Sequence, residues 1–403
     1  MKNKIIYIGN FPYPVKSGVG NRVGQNVSLL QSLGYQVCVI ATDNSVKEGS
    51  ELQETKKEIN GCDVYYLPSA KTLKQRVFYK RDLKQTRALL EEINRDKSIF
   101  AVFFTGTKFS MFAEGLLKFC KKNGIKTIAD SMDWLTIHSR SFLFNFIKRF
   151  DIFWEMRVVN KKADGILAIS TYLQEYYGKR GKPTIVIPPL FSKNIANEVD
   201  KPSEKMVRLI YAGTPFGPNV VCKKPEALKD RLDKAIEILY QIKKQGINNF
   251  LFDIYGVTES GYQTAFPQHA EYIKALQGNI CFHGKAEYTV IEQALHHSDF
   301  TLLIRDDNRE TRAGFPSKVG ESISSGVPVI ISDVGDHSKY IKNGCNGFLL
   351  SKDLEIAKSE LTKIFKMERT EIDCLKMNCI SDEQFIFQTY LDGMKKFLQD
   401  LKE

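Results

Sequence analysis

Short apolar runs rich in β-branched and aromatic residues alternate along the chain with longer amphipathic stretches. A strand covered on both faces is continuously apolar, whereas a covering helix repeats its apolar positions every three to four residues. The pattern therefore predicts βα repeats around mostly parallel sheets that carry helices on both faces. The predicted strands are 5–9, 36–42, 63–68, 101–106, 127–130, 165–170 and 184–188, followed by 209–213, 250–256, 280–284, 300–304, 327–332 and 347–350.

The strands form two groups, separated by a polar, proline-marked stretch that runs from Pro188 to Pro202. The chain has 403 residues, and single hydrophobic cores stop growing near ~250–300 residues. We therefore expect two doubly wound α/β domains at 1–195 and 196–380. A helical pattern at 381–403 predicts a closing helix that packs back on the first domain. Sheets of this kind bind ligands at the carboxyl ends of their strands.

The composition is that of a globular chain, with 43% apolar and 26% charged residues, and it excludes disordered and collagen-like proteins. The eight cysteines are scattered, without a CxxC motif or a Cys/His cluster at metal-binding spacing. The apolar run near the N-terminus is too short for a secretory signal, and no run approaches the ~18 residues of a membrane span. We therefore expect a cytoplasmic protein without a structural metal.

The net charge of +11 lies in the first half: residues 1–200 hold 31 basic and 19 acidic side chains, and the remainder holds 27 and 28. Four of these cations, Arg76, Lys80, Lys84 and Arg87, recur at helical spacing beside Tyr79, Leu83, Leu90 and Ile93. A basic helix with apolar flanks fits an anionic membrane surface, and it equally fits a solvated surface helix. Nucleic acid is a weaker alternative because no nucleic-acid module is recognisable.

The most informative stretch of the second half joins a strand that ends at Arg305 to a helix that begins near Ser317. We expect Ser317 to cap this helix, whose free amides and positive dipole end suit an anion. Lys318 stands on its first turn, and Glu321, one turn later, is suited to two vicinal hydroxyls of a ribose. These residues predict a nucleoside diphosphate site.

The segment from Gly314 to Ile330, which reads GFPSKVGES and then GVPVI, resembles retaining GT-B glycosyltransferases of family 4, particularly their bacterial surface-polysaccharide branch. Similar segments are 211–215, 229–230, 282–285 and 343–348, with 168–173 and 187–189 in the first half. The resemblance implies two Rossmann-like domains that face each other across a cleft. It also implies sugar transfer from a nucleotide-diphosphate sugar to a glycan or lipid-linked acceptor, with retention and without a metal.

The resemblance assigns roles to individual residues. Lys318, Arg305 and Lys229 would compensate the charge of the leaving diphosphate, and Glu321 would act beside them. The donor would be bound by Gly213, Thr214, His283, Gly284, Lys285, Gly314, Phe315, Ser317 and Glu321. Two positions depart from the family pattern, because Ala313 stands where a first glutamate is usual and Thr214 where an arginine is common. A non-catalytic protein that keeps the fold therefore remains an alternative.

In the first half, Gly18, Gly20 and Asn21 follow the first strand and are expected to line the cleft near the donor phosphate and the acceptor. A dinucleotide fingerprint is a rival interpretation of these glycines, although their distance from the strand and their GxGxxxG spacing argue against it. Asp133 either orients an acceptor hydroxyl or caps the following helix. His138 either contacts the donor sugar or is structural.

Overall fold

The computed structural model describes residues 2–14, 18–47, 50–69, 79–107, 109–134, 142–179, 181–195, 206–217 and 220–402. The chain divides into two compact units. The first unit comprises Met1–Leu190 and Phe387–Glu403, and the second comprises Phe191–Ile386. The division therefore follows Leu190 rather than residue 195, and the last segment of the chain groups with the first unit.

The first unit is built on an eight-stranded sheet in the order β3-β4-β2-β1-β5-β6-β7-β8. Its strands are β1 (Lys4–Gly9), β2 (Gln36–Asp43), β3 (Lys57–Ile59), β4 (Cys62–Pro68), β5 (Ile99–Thr105), β6 (Lys126–Ser131), β7 (Gly165–Ala168) and β8 (Thr184–Val186). All neighbouring strands are parallel except β3 and β4. The parallel sheet predicted from the apolar runs is present.

The helices of this part of the chain are α1 (Gly18–Ser32), α2 (Tyr79–Ile93), α3 (Ser110–Lys122), α4 (Phe142–Trp154) and α5 (Thr171–Gly178). Helix α4 continues through a π-helical turn at Glu155–Val159 and a last turn at Asn160–Lys162. Ser170 caps α5, because its hydroxyl accepts a hydrogen bond from the Leu173 amide.

The core of the first unit also contains the final helix of the chain, α15 (Leu391–Asp400), which follows a 3-10 turn at Phe387–Tyr390. Met394, Phe397 and Leu398 are buried in the same apolar cluster as Ile5 and Leu167. Because these side chains recur at a spacing of three to four, one face of α15 closes the core of the first unit.

The second unit is built on a six-stranded, fully parallel sheet in the order β11-β10-β9-β12-β13-β14. Its strands are β9 (Val207–Ala212), β10 (Phe250–Tyr255), β11 (Ile280–Gly284), β12 (Phe300–Leu303), β13 (Val329–Ser332) and β14 (Gly347–Leu350). The helices between α5 and α15 are α6 (Leu232–Lys244), α7 (Glu259–Ala265), α8 (Ala270–Ala275), α9 (Tyr288–His296), α10 (Arg309–Ala313), α11 (Ser317–Ser324), α12 (His337–Tyr340), α13 (Leu354–Ile364) and α14 (Arg369–Ser381).

The order of the second sheet determines which loops meet. Strands β9 and β12 lie at its centre, so the loops after their carboxyl ends are neighbours. Such an edge is where parallel α/β sheets bind ligands. Arg305 comes two residues after β12, and α11 begins in the same loop region at Ser317.

Candidate functional site

Asp230 is a buried carboxylate that binds two cationic side chains of the second unit. The Arg305 guanidinium donates to one of its oxygens from Nε at 2.9 Å and from Nη2 at 2.7 Å. The Lys318 ammonium donates to the other oxygen at 2.7 Å, and the Tyr211 hydroxyl donates to it at 3.1 Å. Three side chains, from β9, from the loop after β12 and from α11, therefore converge on one carboxylate.

Charge compensation decides the ionisation of this cluster. Burial alone would raise the pKa of Asp230, but Lys318 and Arg305 outweigh it and hold that pKa well below its ordinary value. The Arg305 side chain is 8% exposed and that of Lys318 is 22% exposed. The site therefore holds an ionised carboxylate between two cations, and Lys318 is the more accessible of the two.

Three glycines end the strands β9, β10 and β11 and bring their backbones together. The Gly213 amide donates to the Tyr255 carbonyl at 3.0 Å, and the Gly256 amide donates to the Gly284 carbonyl at 2.6 Å. Gly256 has a φ of 91°, and a Cβ there would overlap the Gly213 carbonyl oxygen. A Cβ on Gly213 would lie 2.9 Å from Lys318 Cε. The Lys318 side chain, in the position it occupies, therefore leaves no room for a Cβ at position 213.

Helix α11 begins beside this cluster. Pro316 occupies the N-cap position and makes no side-chain capping bond, so the prediction that Ser317 caps the helix is wrong. Ser317 is instead the first helical residue, and Lys318 is the second. The first amides of a helix have no acceptor within the helix, and the dipole there favours an anion. Lys318 therefore stands where both the backbone and the side chain favour negative charge.

Glu321 lies one turn further along α11 and is half-buried. The Tyr288 hydroxyl, at the start of α9, is hydrogen-bonded to its carboxylate. Burial raises the pKa of Tyr288, and the neighbouring Glu321 raises it further, so the hydroxyl stays protonated and can donate. Glu321 is thus a positioned acceptor rather than a freely solvated side chain.

Other residues that the sequence assigns to the donor site take different environments. Thr214, Lys229 and Lys285 are exposed. The Phe315 ring is buried and packs edge-to-face on His337 and Tyr340, so its side chain belongs to the core of the second unit. The Gly314 amide is already bonded to the Glu310 carbonyl.

His283 projects from the edge strand β11. Its Nε2 lies 2.6 Å from an oxygen of Asp253 on β10, and its ring stacks on Tyr255 at 4.3 Å. His283, Asp253 and Cys281 form a group whose potential metal-ligand atoms all lie within 4.8 Å of one another. The spacing of cysteines and histidines alone does not reveal this group, because its third member comes from the neighbouring strand.

The residues predicted to line a cleft belong to the first unit, and the contact that the structure gives for Asn21 is also within that unit. Gly18 and Gly20 lie in the first turn of α1, and the Asn21 amide group donates to the Leu190 carbonyl at 2.8 Å. Asp133 is half-buried. His138 lies outside the described residues.

A buried network in the first unit was not predicted. The Arg22 guanidinium donates to both Asp130 oxygens, at 2.8 to 3.2 Å, and to the Ile187 carbonyl at 2.8 Å. The Tyr7 hydroxyl also donates to Asp130. The network links α1 to β1, β6 and the segment after β8, so it holds the start of α1 in place.

The basic stripe predicted on α2 lacks the exposed apolar flank that docking on a membrane would use. Lys80 and Lys84 are exposed, but Leu83 and Leu90 are buried in the first unit. Arg87 turns inward and donates to the Gly115 carbonyl at 2.8 Å. Arg76 lies outside the described residues. In the part of the chain that the structure describes, no helix is sufficiently long and apolar to span a bilayer.

Residues 218–374 match the family described as glycosyl transferases group 1, and no curated protein matches the chain significantly. The fold matches those of GT-B glycosyltransferase structures. Sucrose-phosphate synthase from Thermosynechococcus elongatus has a TM-score of 0.67 at 14% identity, covering 99% of each chain. A glycosyltransferase from Rickettsia africae has a TM-score of 0.66 at 14% identity, covering 100% of this chain and 99% of its own. The Anabaena protein HepE in complex with UDP has a TM-score of 0.65 at 13% identity, covering 98% of this chain and 100% of its own.

Proposed function

We propose that the chain is a glycosyltransferase that takes a sugar from a nucleotide-diphosphate donor. The observation that carries this proposal is the convergence of Arg305 and Lys318 at the start of α11, at the carboxyl edge of a parallel sheet. Asp230, Arg305 and Lys318 all lie within residues 218–374, the segment that matches the group 1 glycosyltransferases. HepE, which has a similar fold, was solved with UDP bound.

The cluster can assist departure of the diphosphate. When the bond between the sugar and the phosphate breaks, negative charge grows on the leaving oxygens, and cations that are already in place stabilise it. Asp230 orients Arg305 and Lys318 before a donor binds. Lys318, the more exposed of the two, would contact the phosphate, and Arg305 would contribute its charge from behind.

Glu321 completes the proposed nucleotide site. Its carboxylate accepts a hydrogen bond from Tyr288, and a carboxylate is the kind of acceptor that suits the vicinal hydroxyls of a ribose. Tyr288 stands on α9 and Glu321 on α11, so their hydrogen bond holds the carboxylate between the two helices. The carboxylate lies one turn from the end of α11 that would bind the phosphate.

The finer parts of the proposal rest on the family resemblance of 314–330. We infer a hexosyl transfer with retention of configuration, without a metal or another cofactor, in surface polysaccharide synthesis. The acceptor would be a glycan or a lipid-linked sugar at the cytoplasmic face of the membrane. Thr214, Lys229, His283 and Lys285 stay predictions as donor contacts, as do Gly18, Gly20, Asn21 and Asp133 as acceptor contacts.

Incubation with a panel of nucleotide sugars, with release of free nucleoside diphosphate as the readout, tests the proposal. We expect one donor to be consumed, and we expect Lys318→Ala to lower turnover by roughly 10²–10³, as removal of a transition-state donor does. Lys358→Ala is the matched control, because this lysine also pairs with a carboxylate, Glu355, but lies on α13. Equal turnover in the two variants, or no donor consumed, would overturn the proposal.

Ala313 favours the alternative of a non-catalytic protein with this fold. Ala313 is fully buried, and its methyl group cannot replace the carboxylate that the family pattern would place there to contact the donor sugar. This alternative predicts that nucleoside diphosphates raise the melting temperature while no nucleotide sugar of the panel is consumed.

A further inference from the structure

The segment from α4 to Lys162 presents two distinct faces. Ile152, Met156 and Val159 are buried and attach it to the first unit. Phe146, Phe150 and Phe153 project on the other side and are 67%, 58% and 47% exposed. Because these three rings are spaced by four and three residues, they form one stripe along the helix.

Cations line the same stripe. Arg149, Arg157 and Lys161 are exposed at positions that continue the helical spacing of the phenylalanines. The only acids between Phe142 and Lys162 are Asp151 and Glu155, and both are buried. We call the six exposed residues Phe146, Arg149, Phe150, Phe153, Arg157 and Lys161 the aromatic–basic face.

Two rings of this face, those of Phe150 and Phe153, pack against neighbouring side chains. Phe150 stacks on Trp154 with centroids 5.8 Å apart, and the Arg157 guanidinium lies 4.8 Å from the Phe153 centroid. The Lys161 ammonium lies 4.8 Å from the Tyr176 ring. Side chains ordered in advance lose little entropy on binding.

Exposure of this kind is unusual in the molecule. Among the described residues, every strongly exposed phenylalanine belongs to α4. The exposed Met111 lies nearby, since the amide of the preceding Ser110 is bonded to Asp151 of α4 at 2.7 Å. A contiguous apolar patch rimmed by charge marks an interaction site.

We propose that the aromatic–basic face docks the protein on the surface of an anionic bilayer. Aromatic rings favour the boundary between headgroups and acyl chains, and cations beside them are attracted to anionic lipids. A two-fold contact with a second copy of the chain would instead oppose like charges, Arg149, Arg157 and Lys161 of one copy against those of the other. The absence of an exposed acid on the face therefore favours lipid over self-association.

This surface differs from the one that the sequence suggests. Lys80 and Lys84 on α2 are exposed, but Leu83 and Leu90 are buried and Tyr79 and Ile93 are half-buried. Helix α2 therefore offers charge without a strongly exposed apolar side chain. The proposal does not depend on the proposed function, because bilayer binding is measured without a donor or an acceptor. A negative result for bilayer binding therefore does not contradict the proposed glycosyltransferase activity, and the reverse also holds.

Cosedimentation with vesicles tests the proposal, using phosphatidylcholine vesicles with and without about one third phosphatidylglycerol. We expect the wild type to bind the anionic vesicles and the triple variant Phe146→Ser, Phe150→Ser, Phe153→Ser to bind at least tenfold more weakly. The triple variant Arg149→Glu, Arg157→Glu, Lys161→Glu should also lose binding to anionic vesicles. The single variant Phe146→Ser, which changes the most exposed ring, should weaken binding by at least threefold and leaves the core untouched.

Two controls make the result specific. Val221→Ser, Ile356→Ser and Met377→Ser together remove three exposed apolar side chains from the second unit, and this variant should bind as the wild type does. Lys80→Glu with Lys84→Glu should change binding less than threefold. A wild type that does not bind anionic vesicles, or a phenylalanine variant that binds equally well, would overturn the proposal. A wild-type dimer that the phenylalanine variant converts to monomer, without vesicle binding, would assign the face to a second copy and also overturn it.

Discussion

At the scale of single residues, Asp230 is the position on which the site depends. In the sequence, Asp230 stands between Lys229 and Arg231, and this setting is typical of a surface residue. In the structure it is buried and accepts from Arg305, Lys318 and Tyr211. Each of those partners is distant in sequence, so no local pattern reveals that they share one carboxylate.

Replacement of Asp230 by Asn should destabilise the second unit by roughly 3 kcal/mol, because it leaves two cations without their buried counter-charge. Urea unfolding followed by hydrogen exchange in the second unit measures the change. Asp373→Asn is the control, since Asp373 pairs with Arg369 at the surface and should cost less than about 0.5 kcal/mol. Equal stability of the two variants would contradict the assigned role.

The pH dependence of stability follows from the same carboxylate. Lys318 and Arg305 hold the pKa of Asp230 below its ordinary value despite burial, so its stabilising contribution is complete above the unfolded pKa of about 4. That contribution decreases as the pH falls below about 4 towards the folded pKa. Unfolding free energies measured between pH 6 and 2.5 should therefore fall less steeply in Asp230→Asn than in the wild type. Parallel curves would show that Asp230 is not the titrating group.

At the scale of elements, the apolar runs predict the strands well and miss what is short or determined by distant partners. Strand β3 was not predicted, because it has only three residues, Lys57–Ile59, and pairs antiparallel at the edge of the sheet. Ser317 was wrongly predicted as a cap because Pro316 takes that position, which shifts the serine into the helix. The buried pair of Arg22 and Asp130 was also missed, since its members are separated by 108 residues.

The turn after β10 supplies a prediction at this scale. Gly256→Ala should destabilise the second unit and weaken nucleotide binding, because its φ is positive and a Cβ would strike the Gly213 carbonyl. Gly246→Ala is the matched control: its φ is 83°, but a Cβ there meets nothing within 4 Å. The control should cost roughly 1–2 kcal/mol from the backbone alone and leave nucleotide binding unchanged. Calorimetric titration of both variants with a nucleoside diphosphate measures the difference. Equal nucleotide affinities of the two variants would contradict the role assigned to Gly256.

At the scale of the whole molecule, the chain returns to the unit in which it began. The helical spacing near residue 390 predicts a closing helix, and the structure buries Met394, Phe397 and Leu398 of α15 in the core of the first unit. The residues of a donor site are less accessible to sequence reasoning. The GFPSKVGES segment predicts Lys318 and Glu321 as donor contacts, but their partners Asp230 and Tyr288 emerge only from the fold.

Phe397→Ala should therefore destabilise the first unit although residue 397 lies at the far end of the chain. Loss of a buried ring costs roughly 3–5 kcal/mol. Hydrogen exchange should show faster opening in residues 2–190 and little change in residues 191–386. Met377→Ala, which removes an exposed side chain on α14, should leave both units unchanged. Faster opening confined to the second unit would contradict the assignment of α15 to the first.

The central claim is that Lys318, Arg305 and the start of α11 bind the terminal phosphate of a nucleoside diphosphate. Calorimetric titration of the wild type and of Lys318→Ala with UDP, ADP and GDP, each compared with its monophosphate, tests it most directly. We expect the wild type to prefer one diphosphate over its monophosphate by at least tenfold, and we expect Lys318→Ala to lose most of that preference. No binding of any diphosphate, or an undiminished preference in the variant, would contradict the claim.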